Sequence, residues 1–265
     1  MGVLNVTPDS FSDGGLYLAA EKAIDRALEI ERAGADILDI GGESTRPGSL
    51  PITAKEELKR VLPVVEGLRG RLGIPISIDT QKASVAEAAV AAGAEIINDT
   101  SALRADLKLA EVAQRRRLPL ILMHMRGAPR TMQKRPFARD VLRDVTAGLR
   151  AALARARKAG LPKRQIVLDP GIGFGKSFDQ NYELLAHLPR LAALGCPLLI
   201  GPSRKTFLGA TLASHDAPAP PGERIWGTAV AIAASILGGV HIVRVHDVAE
   251  MVQVARVSDA ILRAT

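Results

Sequence analysis

At 265 residues the chain can bury one sizeable core, and 47% hydrophobic with 24% charged residues is the composition of a folded domain, not a disordered one. The formal charge of +7 and pI near 9.8 are compatible with an anionic partner. However, Arg150, Arg155, Arg157 and Lys158 lie along a helical stretch without interleaved aromatics, which reads as a solvated helix face and not as a nucleic-acid site. The single cysteine, Cys196, excludes an intrachain disulfide framework and reads as buried and inert, while the start MGVLNV lacks a basic leader and no long uncharged apolar run follows; the expectation is a cytoplasmic enzyme.

Short apolar runs closed by Asp, Asn or His alternate along the chain with helix-length stretches. Strands are predicted at 2–6, 36–40, 74–79, 95–98, 118–123, 165–169, 197–201 and 240–245. Helices are predicted at 18–33, 54–71, 82–92, 106–116, 138–159, 179–194, 224–237 and 247–262. In the first helix Leu18, Ala19, Ala23, Ala27, Ile30 and Ala33 recur at helical spacing, and Gly34 supplies a C-cap. In the second, Thr53 and Glu56 have capping-box spacing, and Leu58, Val61, Leu62 and Val65 form the apolar face. Eight such units, with polar residues at successive strand ends, predict an α/β fold: one TIM (β/α)8 barrel over 1–265 with its site at the C-terminal face. The connections 7–15, 41–51, 124–137 and 203–221 exceed the usual two to six residues, which suggests substrate covers.

The polar strand ends supply the candidate chemistry. Asn5 ends the first strand, where its amide oxygen can reach a metal or a phosphate-bound water. The loop after it, Thr7 to Gly15, holds Asp9 and Phe11; a plain turn accounts for its Asp13-Gly14-Gly15. In Gly42-Glu43-Ser44-Thr45-Arg46-Pro47-Gly48, hydroxyls beside Arg46 can hold an anion or carboxylate. Asp79, Asn98 and Asp169 close the third, fourth and sixth strands, so barrel closure brings them to one rim. There, two carboxylates and an amide can read the N–H groups of an amino-pyrimidinone edge; helix N-capping explains one such residue but poorly explains three. Phe174 lies in Gly171-Ile172-Gly173-Phe174-Gly175-Lys176, which lacks Walker spacing, and serves either to wall a substrate or to pack a loop. Ser203-Arg204-Lys205 follows the seventh strand, with Lys205 toward the mouth and Arg204 outward. Arg244 and His246 share a strand face at the eighth strand, forming an anion site where this fold often binds phosphate. His124 has no partner at zinc-binding spacing, and no G-x-S-x-G elbow occurs.

In combination these segments resemble the dihydropteroate synthase family. The resemblance rests on NVTPDSFSDGG at 5–15, GGESTRPG at 41–48, SIDT at 77–80, IIND at 96–99, MHM at 123–125, LDPGIGFGK at 168–176, SRK at 203–205 and RVHD at 244–247. It covers almost the whole chain. It implies an SN1-like condensation of (7,8-dihydropterin-6-yl)methyl diphosphate with 4-aminobenzoate in folate biosynthesis, with Mg2+, in a homodimer open to sulfonamide inhibition. Carried onto this sequence, it implies that Asp79, Asn98, Asp169 and Lys205 hold the pterin and that Met123 packs near its ring. Asn5, Arg244 and His246 would bind the diphosphate, with Asn5 also near Mg2+. Ser203, Lys205, Phe174, Arg46 and Pro47 would frame the aminobenzoate site, closed by the loop of Asp9 and Phe11, and Thr45 would also bind substrate. Of these, Asp79, Asp169, Lys205, Arg244 and His246 are expected to take part in catalysis. The alternatives are a pterin-binding methyltransferase domain and a catalytically silent barrel that binds pterin or nucleic acid.

Overall fold

The computed structural model describes residues 1–7, 15–45, 48–127, 130–132, 136, 138–213 and 217–264, the side chains of 15–18 aside. Eight parallel strands alternate with helices. They are β1 (Gly2–Asn5), β2 (Leu38–Gly41), β3 (Ile76–Asp79), β4 (Ile96–Asp99), β5 (Leu120–Met123), β6 (Ile166–Asp169), β7 (Leu199–Ile200) and β8 (Ile242–Val243). Strands β1 to β6 pair in chain order, and β7 pairs with β8. Two parallel bridges, Leu168 with Leu198 and Gly2 with Val245, join these sheets at both edges. At the second seam Val3 N donates to Val245 O (3.0 Å) and Val245 N to Met1 O (2.9 Å). The barrel therefore closes, and closure removes the unpaired edges an open sheet would present.

Strand alternation sorts the side chains into two cores. Leu38, Ile40, Ile76, Ile78, Ile97, Leu120, Leu122, Ile166, Leu168, Leu198 and Ile200 point outward into the main core against the helices. Inside the barrel, Met1, Ile121 and Leu199 form a separate apolar layer with Ile37, Ile96, Val167 and Ile242. Two residues beyond Ile37, Ile96, Val167 and Ile242 the inward positions turn polar, at Asp39, Asn98, Asp169 and Arg244, and Asp79 joins them on β3 after Ser77. An apolar plug thus fills the barrel's lower part, and the recognition groups stand on it.

Ten α-helices surround the strands among the described residues: α1 (Gly15–Arg32), α2 (Ala54–Leu68), α3 (Ala83–Ala92), α4 (Lys108–Arg116), α5 (Val141–Lys158), α6 (Phe178–Ala186), α7 (Leu188–Ala192), α8 (Thr206–Thr211), α9 (Ile225–Leu237) and α10 (Val248–Arg263). Thr53 caps α2 by accepting from Glu56 N (3.2 Å), and Gly34 takes a positive φ of 97° after α1. The helix predicted at 179–194 is broken at His187, where φ is −120°, because Pro189 has no N–H to continue the helical ladder and instead sits in the first turn of α7. The connection 203–221, expected to be irregular, contains α8. None of these helices is long and apolar enough to cross a membrane.

Candidate functional site

The strand ends deliver most predicted residues to one place. A cavity of about 530 Å3 at the C-terminal mouth is lined by Asn5, Thr45, Phe174, Ser203, Lys205, Arg244 and His246, among others. Asp79, Asn98, Met123 and Asp169 lie further in, each at most 8% exposed. The register pairs Asp79 with Asn98 and Met123 with Asp169, two adjacent pairs at the strand ends. Asp9, Phe11, Arg46 and Pro47 lie outside the described residues.

Arg244 links the two levels. It lines the cavity, and its guanidinium reaches inward: Nε donates to Asp39 Oδ2 (2.6 Å) and Nη2 to Asp79 Oδ2 (3.0 Å). Asn98 Nδ2 donates to the same Asp39 carboxylate at 3.2 and 3.4 Å. Asp169 Oδ1 accepts from Gly171 N (2.7 Å), so it shapes the loop as well as facing the site. Asp99, beside Asn98, turns away and accepts from Ser101 N (2.7 Å) and Leu103 N (2.5 Å). Of that dipeptide, one residue serves the cavity and the other the turn.

Burial sets the electrostatics. It pushes the Asp79 carboxyl up to about 8, helped by Asp39 and opposed by Arg244. It pushes Asp169 up to about 6, against the pull of the Gly171 N–H and of Lys176, Lys205 and Arg244. Lys205 falls to about 8, through burial first and then Arg244. Its Nζ lies 4.0 Å from the centroid of the Phe174 ring, a cation–π contact. His246 falls to about 4, through burial and then Arg244, Arg204 and Lys205, so it is neutral at pH 7. Its Nδ1 is 3.1 Å from Ser203 Oγ, which also accepts from His246 N (3.2 Å). Arg204, expected outward, lines the cavity as well, with its guanidinium tied to Asp247 at the start of α10, Nε donating at 3.0 Å.

The loop after β6 is built around Lys176, which is 2% exposed. Its Nζ donates to the carbonyls of Gly171 (2.9 Å), Phe174 (3.0 Å) and His124 (3.3 Å). Gly171 and Gly175 have φ of 68°. A Cβ on either would sit 2.0 and 2.2 Å from the carbonyl oxygens of His124 and Arg126, respectively. Phe174, folded over by this loop, packs with Met123, Met125 and Met132.

Three further residues were missed. Asp39 sits inside an apolar strand, where a search for strand-end polar groups passes over it. Lys82 and Glu57 anchor the second loop: Lys82 Nζ donates to Glu57 (2.5 Å) and to Glu43, which also accepts from Ile52 N (3.3 Å). The signal available for Asp39 was its position, a carboxylate between Leu38 and Ile40 in a strand buried on both faces. Lys82, just before α3, and Glu57, within α2, lie far apart in sequence and carried no local signal.

Fold and site together define a (β/α)8 enzyme whose barrel interior can recognise a flat polar ring and whose mouth can hold an anionic tail. The comparisons agree. The family model described as pterin binding enzyme matches residues 1–246. A dihydropteroate synthase of Synechocystis is 48% identical over 99% of this chain and 90% of its own length. The Yersinia pestis dihydropteroate synthase, solved with a sulfonamide drug complex, superposes with a TM-score of 0.91 at 42% identity, covering 100% of this chain and 94% of that one. The Xanthomonas albilineans dihydropteroate synthase with 4-aminobenzoic acid superposes at 0.90 with 44% identity, covering 99% and 92%. The chain belongs to the pterin-binding enzymes, within their dihydropteroate synthase family.

Proposed function

We propose that this chain condenses (7,8-dihydropterin-6-yl)methyl diphosphate with 4-aminobenzoate, giving 7,8-dihydropteroate and diphosphate, as a homodimer in the cytoplasm. One observation carries the reading. Arg244 and His246 line the mouth directly over a buried Asp79, Asn98 and Asp169, so one substrate can engage both levels at once. A methyltransferase domain or a silent binding barrel is disfavoured by the cationic mouth and by the second loop, which Lys82 and Glu57 hold in place.

In this reading Asp79, Asn98 and Asp169 take the N–H groups of the pterin ring, with Lys205 at its edge and Met123 against its face. Arg244 meets the diphosphate as a cation and His246 as a hydrogen-bond donor, since its ring is neutral. Phe174, Ser203 and Lys205, with Thr45, Arg46 and Pro47 of the second loop, frame the aminobenzoate, the group that sulfonamides imitate. Asp9 and Phe11 belong to the loop that closes the site. Closure would keep water from the reacting carbon.

Asn5 offers the cavity one hard amide oxygen, and among the described residues no group of three acidic, histidine or cysteine side chains forms a metal cage. That donor set fits Mg2+, which takes few protein ligands and completes its shell with water and substrate phosphates. Asn5 would hold the ion, which when bound supplies charge neutralisation for the leaving diphosphate. As the carbon–oxygen bond breaks, Arg244 stabilises charge on the departing oxygens. Asp79 and Asp169 face the methylene cation left on the ring. The aniline nitrogen attacks that carbon, and the acidic proton of the resulting ammonium passes to solvent, so no strong side-chain base is needed.

The test is diphosphate release from the pterin substrate with Mg2+, measured with and without 4-aminobenzoate. Release that requires 4-aminobenzoate and yields dihydropteroate is expected. Equal release in its absence would mark a hydrolase, and no release a binding protein; either overturns the reading.

A further inference from the structure

A carboxylate in the middle of a barrel strand is costly unless it is fully partnered. Asp39 is 0% exposed, stands in register between Val3 and Ser77, and does not line the cavity. Its two oxygens take three hydrogen bonds, all from residues assigned to ligand contact: two from Asn98 Nδ2 and one from Arg244 Nε. Among the described residues its carboxylate caps no helix and ties down no loop.

Two consequences follow from these bonds. A carboxylate accepts only, so the NH2 side of the Asn98 amide must face Asp39, and the carbonyl oxygen points away from it. This fixes Asn98 as an acceptor toward a ligand. Arg244 is held differently by its two partners. Nε is tied to Asp39, which is wholly buried, whereas Nη2 is tied to the slightly more open Asp79, which the pterin reading gives to the ring. A ring N–H that bonds Asp79 Oδ2 competes with Nη2 for that oxygen, and the Asp39 contact keeps the guanidinium in place when Nη2 gives way.

We propose that Asp39 is a positioning residue, which sets the Asn98 amide for the pterin ring and secures Arg244 from below so that Asp79 can be given up to substrate. The proposal rests on the pterin reading above. Without Asp39, Asp79 is the one carboxyl group left hydrogen bonded to Arg244, the ring must compete with that contact, and Asn98 is free to turn over.

The experiment compares wild type with Asp39→Asn by titration calorimetry, using two probes: 6-hydroxymethyl-7,8-dihydropterin, which carries no phosphate, and inorganic diphosphate with Mg2+. Ring affinity is expected to fall about tenfold or more, the scale of a lost charge-assisted hydrogen bond, while diphosphate affinity changes less than about threefold, because Arg244 keeps its charge. The pH midpoint of ring binding should also move down. The Asp79 carboxyl faces Asp39, Arg244, Glu57, Asp99 and Lys205, and the variant removes one like charge from that set. In an Asn98→Ala background the Asp39→Asn penalty on ring binding should shrink, since the two act through one contact. If Asp39→Asn does not fold, Arg244→Met is compared with Arg244→Met/Asp39→Asn, which removes the buried ion pair altogether; the double variant should bind the ring more weakly. Equal losses for both probes, or unchanged ring affinity, would overturn the role of Asp39. Failure of the wild type to bind the ring would instead overturn the function proposed above.

Discussion

Buried beside Asp39, the Asp79 carboxyl holds its proton up to about pH 8, against an ordinary value of 3.8. The native state therefore keeps a proton that the unfolded chain releases above pH 4. Its stabilising contribution is complete below pH 4 and is lost as pH rises toward 8, because there the unfolded state binds fewer protons than the native one. An Asp79→Asn variant has no such proton. In denaturant melts between pH 4.5 and 8.5, wild type should lose stability relative to Asp79→Asn as pH rises, with a slope approaching about 1.4 kcal/mol per pH unit. A pH-independent difference would show that Arg244 holds Asp79 ionised throughout.

The segments joining the strands do as much for the site as the strands themselves. The loop after β6 curls around Lys176 and uses glycine where a side chain would strike backbone. Gly171→Ala should therefore cost more than the ~1–2 kcal/mol that a side chain at positive φ incurs, since the His124 carbonyl would have to move as well. Gly70→Ala, at φ 71° with nothing within 4 Å of the added carbon, should cost that smaller amount alone. Similar melting temperatures for the two variants would remove the steric argument. At this scale legibility in the sequence divides by mechanism. Asp79, Asn98 and Asp169 are legible as mouth residues because each stands at the end of an apolar run, and the barrel rule places such ends together. α8 is not legible, because six residues are too few to show a helical period, and Phe207 and Leu208 hold it by burial. The break at His187 was readable from Pro189, yet Pro63 sits inside α2 without ending it. There Val61, Val64, Val65 and Leu68 are all buried, and packing outweighs the missing hydrogen bond.

On the outside of the molecule, α9 and α10 carry apolar side chains that are exposed. Trp226 is 77% exposed and Val230 71% on α9, one helical turn apart, and Val257 is 62% and Ile261 50% exposed on α10 at the same spacing. Apolar exposure of this kind marks an association surface, and it is the natural seat for the proposed second copy of the chain. Wild type should sediment as a dimer. Trp226→Glu/Val230→Glu should sediment as a monomer without loss of ring binding, since neither residue lines the cavity. An unchanged sedimentation coefficient would place the interface elsewhere.

The seam between β1 and β8 has a consequence for biosynthesis. While the chain emerges from a ribosome, β1 can pair with β2 early, but its other edge has no partner until the Arg244-bearing strand has been made. Throughout that interval the nascent protein offers an open sheet edge, and Asp39 has no guanidinium beside it. Assembly of the ligand-binding floor and sealing of the cylinder are therefore one late event, set by the arrival of the same few residues near the chain's far end.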